Sequence, residues 1–193
     1  MNDRINELLL RIRQLQDELE EELDVRREQF NYHLEQHKVR FEQRVVEAHK
    51  KLRTDVIRFV IHARLRDIFL APVIYAILPP LLLLDLTLVI YQAIYFRAYG
   101  IPRVNRSDYI VIDRHQLAYL NGIEKVNCVY CGYANGLFGF AKEVGARTEQ
   151  YWCPIKHSRR ILDPHHHYPE FLDFGDGESY QKRRKELHKN RSR

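Results

Sequence analysis

The sequence predicts a mainly α protein in three parts. A long N-terminal coiled-coil-like helix comes first, then a proline-broken membrane helix or helical wedge, then a small helix-containing Cys3His metal knuckle with a polar tail. Three observations carry that prediction. The first 71 residues contain neither proline nor glycine. Residues 68–96 hold a single charged side chain, Asp85. All three cysteines lie between 128 and 153, and a histidine follows at ligand spacing.

Composition sets the outer bounds. The chain has 193 residues, with 31 Lys+Arg against 26 Asp+Glu, a formal net charge of +5. A mean hydropathy of −0.47 excludes a polytopic membrane protein but leaves room for one apolar segment. Three cysteines in a chain this long exclude a disulfide scaffold. The N-terminal apolar run, MNDRINELLLRIRQ, is too short for a secretory signal.

Residues 1–67 read as one helix, because the segment is rich in Glu, Arg, Gln, Leu and Lys and lacks both helix breakers. Asn2 or Asp3 is available as its cap. A heptad fits Ile5, Leu8, Ile12, Leu15 and Leu19, then fails at Glu22, Arg26 and Gln29. An eleven-residue period runs further, pairing Leu8 with Ile12, Leu19 with Leu23, Phe30 with Leu34, Phe41 with Val45, and Leu52 with Val56. Eleven residues in three turns is about 3.67 per turn, which implies a nearly straight seam. Such a narrow stripe suits homo-oligomerisation through residues 5–60 better than a globular core. His33 and His37 share a helix face in this reading, but H-L-E-Q-H is not the zinc-protease order, and both read as solvated.

Residues 68–99 form the membrane segment. The run from Ile68 to Phe96 exceeds the roughly 20 apolar residues a helix needs to cross a bilayer. Tyr91, Tyr95, Phe96 and Tyr99 mark its exit as an aromatic belt does. Pro79 and Pro80 divide it into two halves, neither long enough alone. A kinked span and a re-entrant wedge therefore both stand, and membrane lipid is a partner in either case. Both flanks are basic: nine Lys/Arg occupy residues 38–66, and Arg97, Arg103 and Arg106 follow the segment. Asp85 is a candidate intramembrane functional residue, since a carboxylate there is costly.

Residues 100–124 read as a linker, with a short strand at Tyr109 to Ile112 and a short helix from His115 to Glu124. Residues 125–160 carry the chemistry. The spacing Cys128-x2-Cys131, 21 residues, then Cys153-x3-His157 supplies three thiolates and an imidazole for a closed tetrahedral zinc site. Iron is the alternative metal. Asn135 to Trp152 would be a helix between the two ligand pairs. Read without metal, Cys128 and Cys131 are a redox dithiol. Residues 161–193 form a polar basic tail, read as disordered or as a frayed helix. His165, His166 and His167 in it read as a solvated turn or a spare ligand set. Lys182, Arg183, Arg184 and Lys185 are candidate contacts for anionic lipid, or less favourably for nucleic acid.

The run NCVYC-GYANG…ARTEQYWCPIKH, preceded by YGIPRVNRSDY and DRHQLAYLNGIEK, resembles a family of uncharacterised bacterial membrane-associated proteins over roughly residues 65 to 160. Its cysteine and histidine positions match at Cys128, Cys131, Cys153 and His157. The resemblance implies a bacterial setting and no particular activity. With both flanks basic and thiols that stay reduced, the expected place is the inner (cytoplasmic) membrane, metal domain towards the cytoplasm.

No nucleophile–base pair or phosphate-cradling glycine loop is legible, so the leading reading is non-enzymatic. It is a self-associating membrane scaffold or adaptor whose zinc module presents a docking surface to a protein partner. The alternative is a membrane thiol-redox or metal-handling factor using Cys128 and Cys131.

Overall fold

The computed structural model describes residues 3–29, 32–35, 38–41 and 43–191, and they are mainly helical. In chain order the elements are α1 (Asp3–Gln29), β1 (Tyr32–Glu35), β2 (Lys38–Phe41), α2 (Gln43–Lys51), α3 (Val56–His62), α4 (Leu65–Tyr75), α5 (Leu78–Tyr91), a π-helical turn (Gln92–Phe96), α6 (Arg97–Tyr99), α7 (Gly122–Trp152) and α8 (Gly177–Arg191). Two compact units result: Met1–Arg64 with Ile112–Val129, and Leu65–Val111 with Tyr130–Arg193.

The first unit departs from the single long helix. The chain forms an antiparallel hairpin after α1, with Tyr32 opposite Phe41 and Leu34 opposite Val39. The sequence there fits both periods: Leu34 and Phe41 hold helical repeat slots, but Tyr32-Leu34 and Val39-Phe41 also alternate with polar residues, which is the strand pattern. Phe30 and His37 lie outside the described residues, and His33 stands in β1 rather than on a helix face. A second break follows α2. Asp55 takes an extended backbone and its side chain accepts from the Ile57 N–H at 3.0 Å, capping α3. On α1, Leu8, Ile12, Leu15, Leu19 and Leu23 are all exposed. The unit also contains the start of α7, where Asn121 and Glu124 form a reciprocal capping box. The Glu124 N–H donates to Asn121 Oδ1 at 3.0 Å and the Asn121 N–H to Glu124 Oε2 at 2.9 Å. Where a helix was expected from His115 to Glu124, there is only a 3-10 turn, Arg114–Gln116, before that cap.

In the second unit the apolar segment divides just before the two prolines, α4 ending at Tyr75 and α5 beginning at Leu78. Pro79 and Pro80 occupy the first turn of α5, where a missing N–H costs nothing. The α5 helix ends through the π turn and Gly100. That glycine takes φ +66, and the next N–H, of Ile101, donates back to Phe96 O at 2.8 Å. Gln92, buried within the π turn, accepts from the Val104 N–H at 3.0 Å and ties the returning chain to it.

Helix α7 lies parallel to this segment. Tyr130 Oη donates to Ile74 O at one end, Tyr91 and Thr148 hydroxyls bond at 3.1 Å further on, and the Tyr99 and Trp152 rings meet edge-on at 5.2 Å at the other end. Leu81, Phe96, Ile101 and Val104 pack against Ala134, Leu137, Phe140 and Val144 of α7. Each large apolar side chain so buried contributes roughly 1.5–3 kcal/mol. Close approach is set by Gly136, since a Cβ there would lie 2.5 Å from the Tyr109 carbonyl oxygen.

The chain beyond Trp152 is folded, including the part from residue 161 that was expected to be a loose tail. Ile155 bridges Leu172, with the Lys156 N–H on Leu172 O and the Leu172 N–H on Pro154 O, both at 2.8 Å. Phe171 and Pro154 are buried, which holds this excursion against the unit. The apolar residues Tyr168, Phe171 and Leu172 carry the signal for it. After the excursion Asp176 caps α8 by accepting from the Ser179 N–H.

Candidate metal centre

Glu143 is the least expected feature of α7. It sits on the buried face between Phe140 and Val144 and is only 4% exposed. A carboxylate there needs partners, and it has them. Arg147, one turn on, donates from Nε to Glu143 Oε1 at 2.7 Å. The same guanidinium donates to the Pro102 carbonyl at 2.8 Å, so it is fixed by the returning chain as well.

The other side of Glu143 faces the triple histidine. His166 Nδ1 stands 3.4 Å from Glu143 Oε2, and His167 Nε2 stands 3.6 Å from Oε1. Both exceed the usual N–H···O range of about 2.7–3.2 Å. His167 Nε2 is buried and has no hydrogen-bond partner. Two ligand atoms on one tetrahedral zinc, each about 2.1 Å from it, stand roughly 3.4 Å apart. Both separations are too long for good hydrogen bonds and are of that order, His166 facing Oε2 and His167 facing Oε1. Among the described residues, Glu143, His166 and His167 are the group of three whose ligand atoms converge closely enough to hold a metal ion. Burial, then the neighbouring His166 charge, holds the His167 imidazole below the usual histidine range, which favours its neutral, ligating form.

The loop carrying these histidines is fixed by its neighbours. Lys142 Nζ pairs with Asp163 at 2.6 Å, and Asp163 takes the left-handed backbone, φ +52. His165 Nε2 bonds Glu149 Oε2 at 3.0 Å, and its ring packs on Phe171 at 5.1 Å. The Tyr168 N–H donates to the His165 carbonyl, closing the turn. Thus α7 supplies the carboxylate and its orienting arginine, and the loop supplies two imidazoles. Two histidines and one carboxylate would leave open positions on an ion bound there.

The expected Cys3His knuckle is not assembled. Cys128 and Cys131 lie within α7, three residues apart, and Gly132 continues the helix instead of turning it. The helix runs unbroken from there to Trp152, so Cys153 is roughly 33 Å along the axis from Cys131. Cys131 and Cys153 are exposed and Cys128 is half-buried. His157 stacks on Tyr168 at 6.2 Å, and its backbone N–H donates to the Tyr168 hydroxyl.

Asp85, the carboxylate of the apolar segment, is turned into the protein. Arg106 Nη2 donates to Oδ2 at 2.6 Å and Nε to Oδ1 at 3.0 Å, and Tyr133 Oη donates to Oδ2 at 3.0 Å. Burial first, and then the hydrogen bond to Asp85, pushes the Tyr133 phenol up. In the basic run, Lys182, Arg184 and Lys185 are exposed on α8, whereas Arg183 is half-buried and donates to the Gln150 carbonyl.

Sequence reasoning missed Glu143 because it was read only as part of a packing helix. The available signal was an acidic residue between Phe140 and Val144 on an apolar face, with three histidines between Pro164 and Pro169. No protein-family model, curated protein or solved structure matches the chain.

Proposed function

We propose that this chain is a membrane-anchored, self-associating scaffold in which one divalent transition metal, zinc first, closes the His165–His167 loop onto α7. The observation that carries this reading is the buried Glu143 facing both imidazoles, with His167 Nε2 left without a hydrogen-bond partner. The metal would sit between Glu143, His166 and His167, and its charge would satisfy the carboxylate together with Arg147. Two features support the rest. The segment Leu65–Tyr99 is long and apolar enough to cross a membrane and is mostly exposed. The stripe Leu8, Ile12, Leu15, Leu19 and Leu23 on α1 is exposed, as a seam awaiting a second copy of the same helix would be.

A second reading is favoured by the ligand count. Three protein ligands with open positions suit metal exchange or delivery better than a closed structural site. Metal handling therefore replaces dithiol chemistry as the alternative.

Cobalt(II) titration of the detergent-purified full chain tests the proposal. One ion per chain should bind with visible d–d absorption and no thiolate charge-transfer band, and His167→Gln should abolish it. Strong thiolate charge transfer, or no binding, would overturn the site.

A further inference from the structure

The apolar segment has two faces that differ in kind. On α5, Leu81 and Asp85 are buried, while Leu82, Leu83, Leu86 and Ile90 are exposed. On α4, Phe69 and Val73 are more than half exposed. We propose that this outward face lies within one leaflet of an anionic bilayer, parallel to its surface, with both ends of the segment on the same side. The inference rests on the membrane reading above and specifies its geometry.

The packing of α7 carries the argument. Its contacts reach from Ile74 to Tyr99, a length of roughly 37 Å, more than the hydrocarbon core of about 30 Å. A segment crossing the bilayer would therefore take α7 across with it. That helix brings Lys142, which is exposed, and Arg147 and Glu149, which are partly exposed. Such groups are not tolerated facing lipid at the bilayer centre. An in-plane arrangement removes the conflict. The exposed face of α4 and α5 meets acyl chains, and α7 with its charged groups stays on the aqueous side.

Charge and aromatic placement agree. Arg66 at the start and Arg97 and Arg103 at the end are exposed cations, suited to anionic headgroups at both ends of one surface. Tyr99 and Trp152 are each more than a third exposed beside the exit, where interfacial aromatics gather. Asp85 turns away from lipid because Arg106 and Tyr133 hold it from the protein side.

Sided labelling of the full chain in membranes tests this. Two variants, each with Cys128, Cys131 and Cys153 changed to Ser, carry either Thr54→Cys or Ser158→Cys, both at exposed positions. Each is expressed in bacterial cells and treated with a membrane-impermeant maleimide, in spheroplasts and in inverted membrane vesicles. Reaction of both positions from the same side supports the in-plane arrangement. Reaction from opposite sides overturns it while leaving the membrane reading standing. Protein recovered in the soluble fraction overturns both. With purified chain, Leu83→Asp should lower binding to phosphatidylglycerol vesicles at least tenfold with helical content unchanged, and unaltered binding would count against the face assigned here.

Discussion

Arg106 reaches back 21 residues to hold both carboxylate oxygens of Asp85, so the one charge in the apolar segment is part of a fork-to-fork ion pair. The pair joins α5 to the chain that returns towards α7, and Tyr133 adds a third donor from α7 itself. Asp85 is about nine-tenths buried, while the Arg106 side chain is 43% exposed. Asp85→Leu should therefore cost about 2–4 kcal/mol, below the fully buried case because Arg106 can regain water. Combining it with Arg106→Leu should recover at least about 1 kcal/mol, since no charge is then left without a partner. Denaturant melts of the four members of the cycle measure this, and strict additivity would show that the pair is not coupled.

Gly136 and Gly139 offer a paired contrast. A methyl at Gly136 would lie 2.5 Å from the Tyr109 carbonyl oxygen and 2.7 Å from Ile110 Cα, both backbone atoms. At Gly139 it would meet only the edge of the Tyr109 ring, at 3.2 Å. Gly136→Ala should lower stability by about 2 kcal/mol or more through overpacking. Gly139→Ala should be near neutral, because helix propensity gains up to about 1 kcal/mol and the ring can shift. Equal effects in thermal melts would contradict the close approach.

Asn121 is fully buried and starts α7 through its reciprocal bonds with Glu124. Asn121→Ala should cost about 1–2 kcal/mol, the upper part of the range for a helix cap. Asn121→Asp should retain most of the capping bond. Helical signal and melting midpoint for the two variants decide the point.

Asp176 gives the start of α8 a defined pH dependence. The Ser179 side chain first, and its backbone N–H second, hold the Asp176 carboxyl below its ordinary value of 3.8. A lowered folded value means the cap is fully formed above 3.8 and is lost as pH falls through the lower value. Amide exchange at residues 179–181 should accelerate below about pH 4 relative to the intrinsic rate. Asp176→Asn should retain a cap and remove that dependence.

How far the sequence led differs by element. The apolar segment and the helix from Asn135 to Trp152 were legible, because hydropathy and helical spacing report directly on burial. The N-terminal rod was overextended. Absence of proline and glycine does not exclude strands, and Tyr32-Leu34 and Val39-Phe41 satisfy the strand period as well as the repeat. The cysteine reading failed at Gly132, where a turn after the Cys128–Cys131 pair was expected and α7 runs on instead. Within that helix Gly136 serves close packing, lying directly on the Tyr109 backbone. The histidine group was illegible from spacing because its partner, Glu143, lies more than 20 residues upstream, and only the packed loop brings them together.

The measurement that tests the central claim most directly is the metal content per chain of three forms of the detergent-purified protein. These are the wild type, the triple Cys→Ser variant at 128, 131 and 153, and the double variant His166→Gln with His167→Gln. The account predicts one tightly held divalent metal in the wild type and in the cysteine-free chain, and none in the histidine variant. Metal retained by the histidine variant and lost from the cysteine-free chain would contradict it and return the site to the thiols.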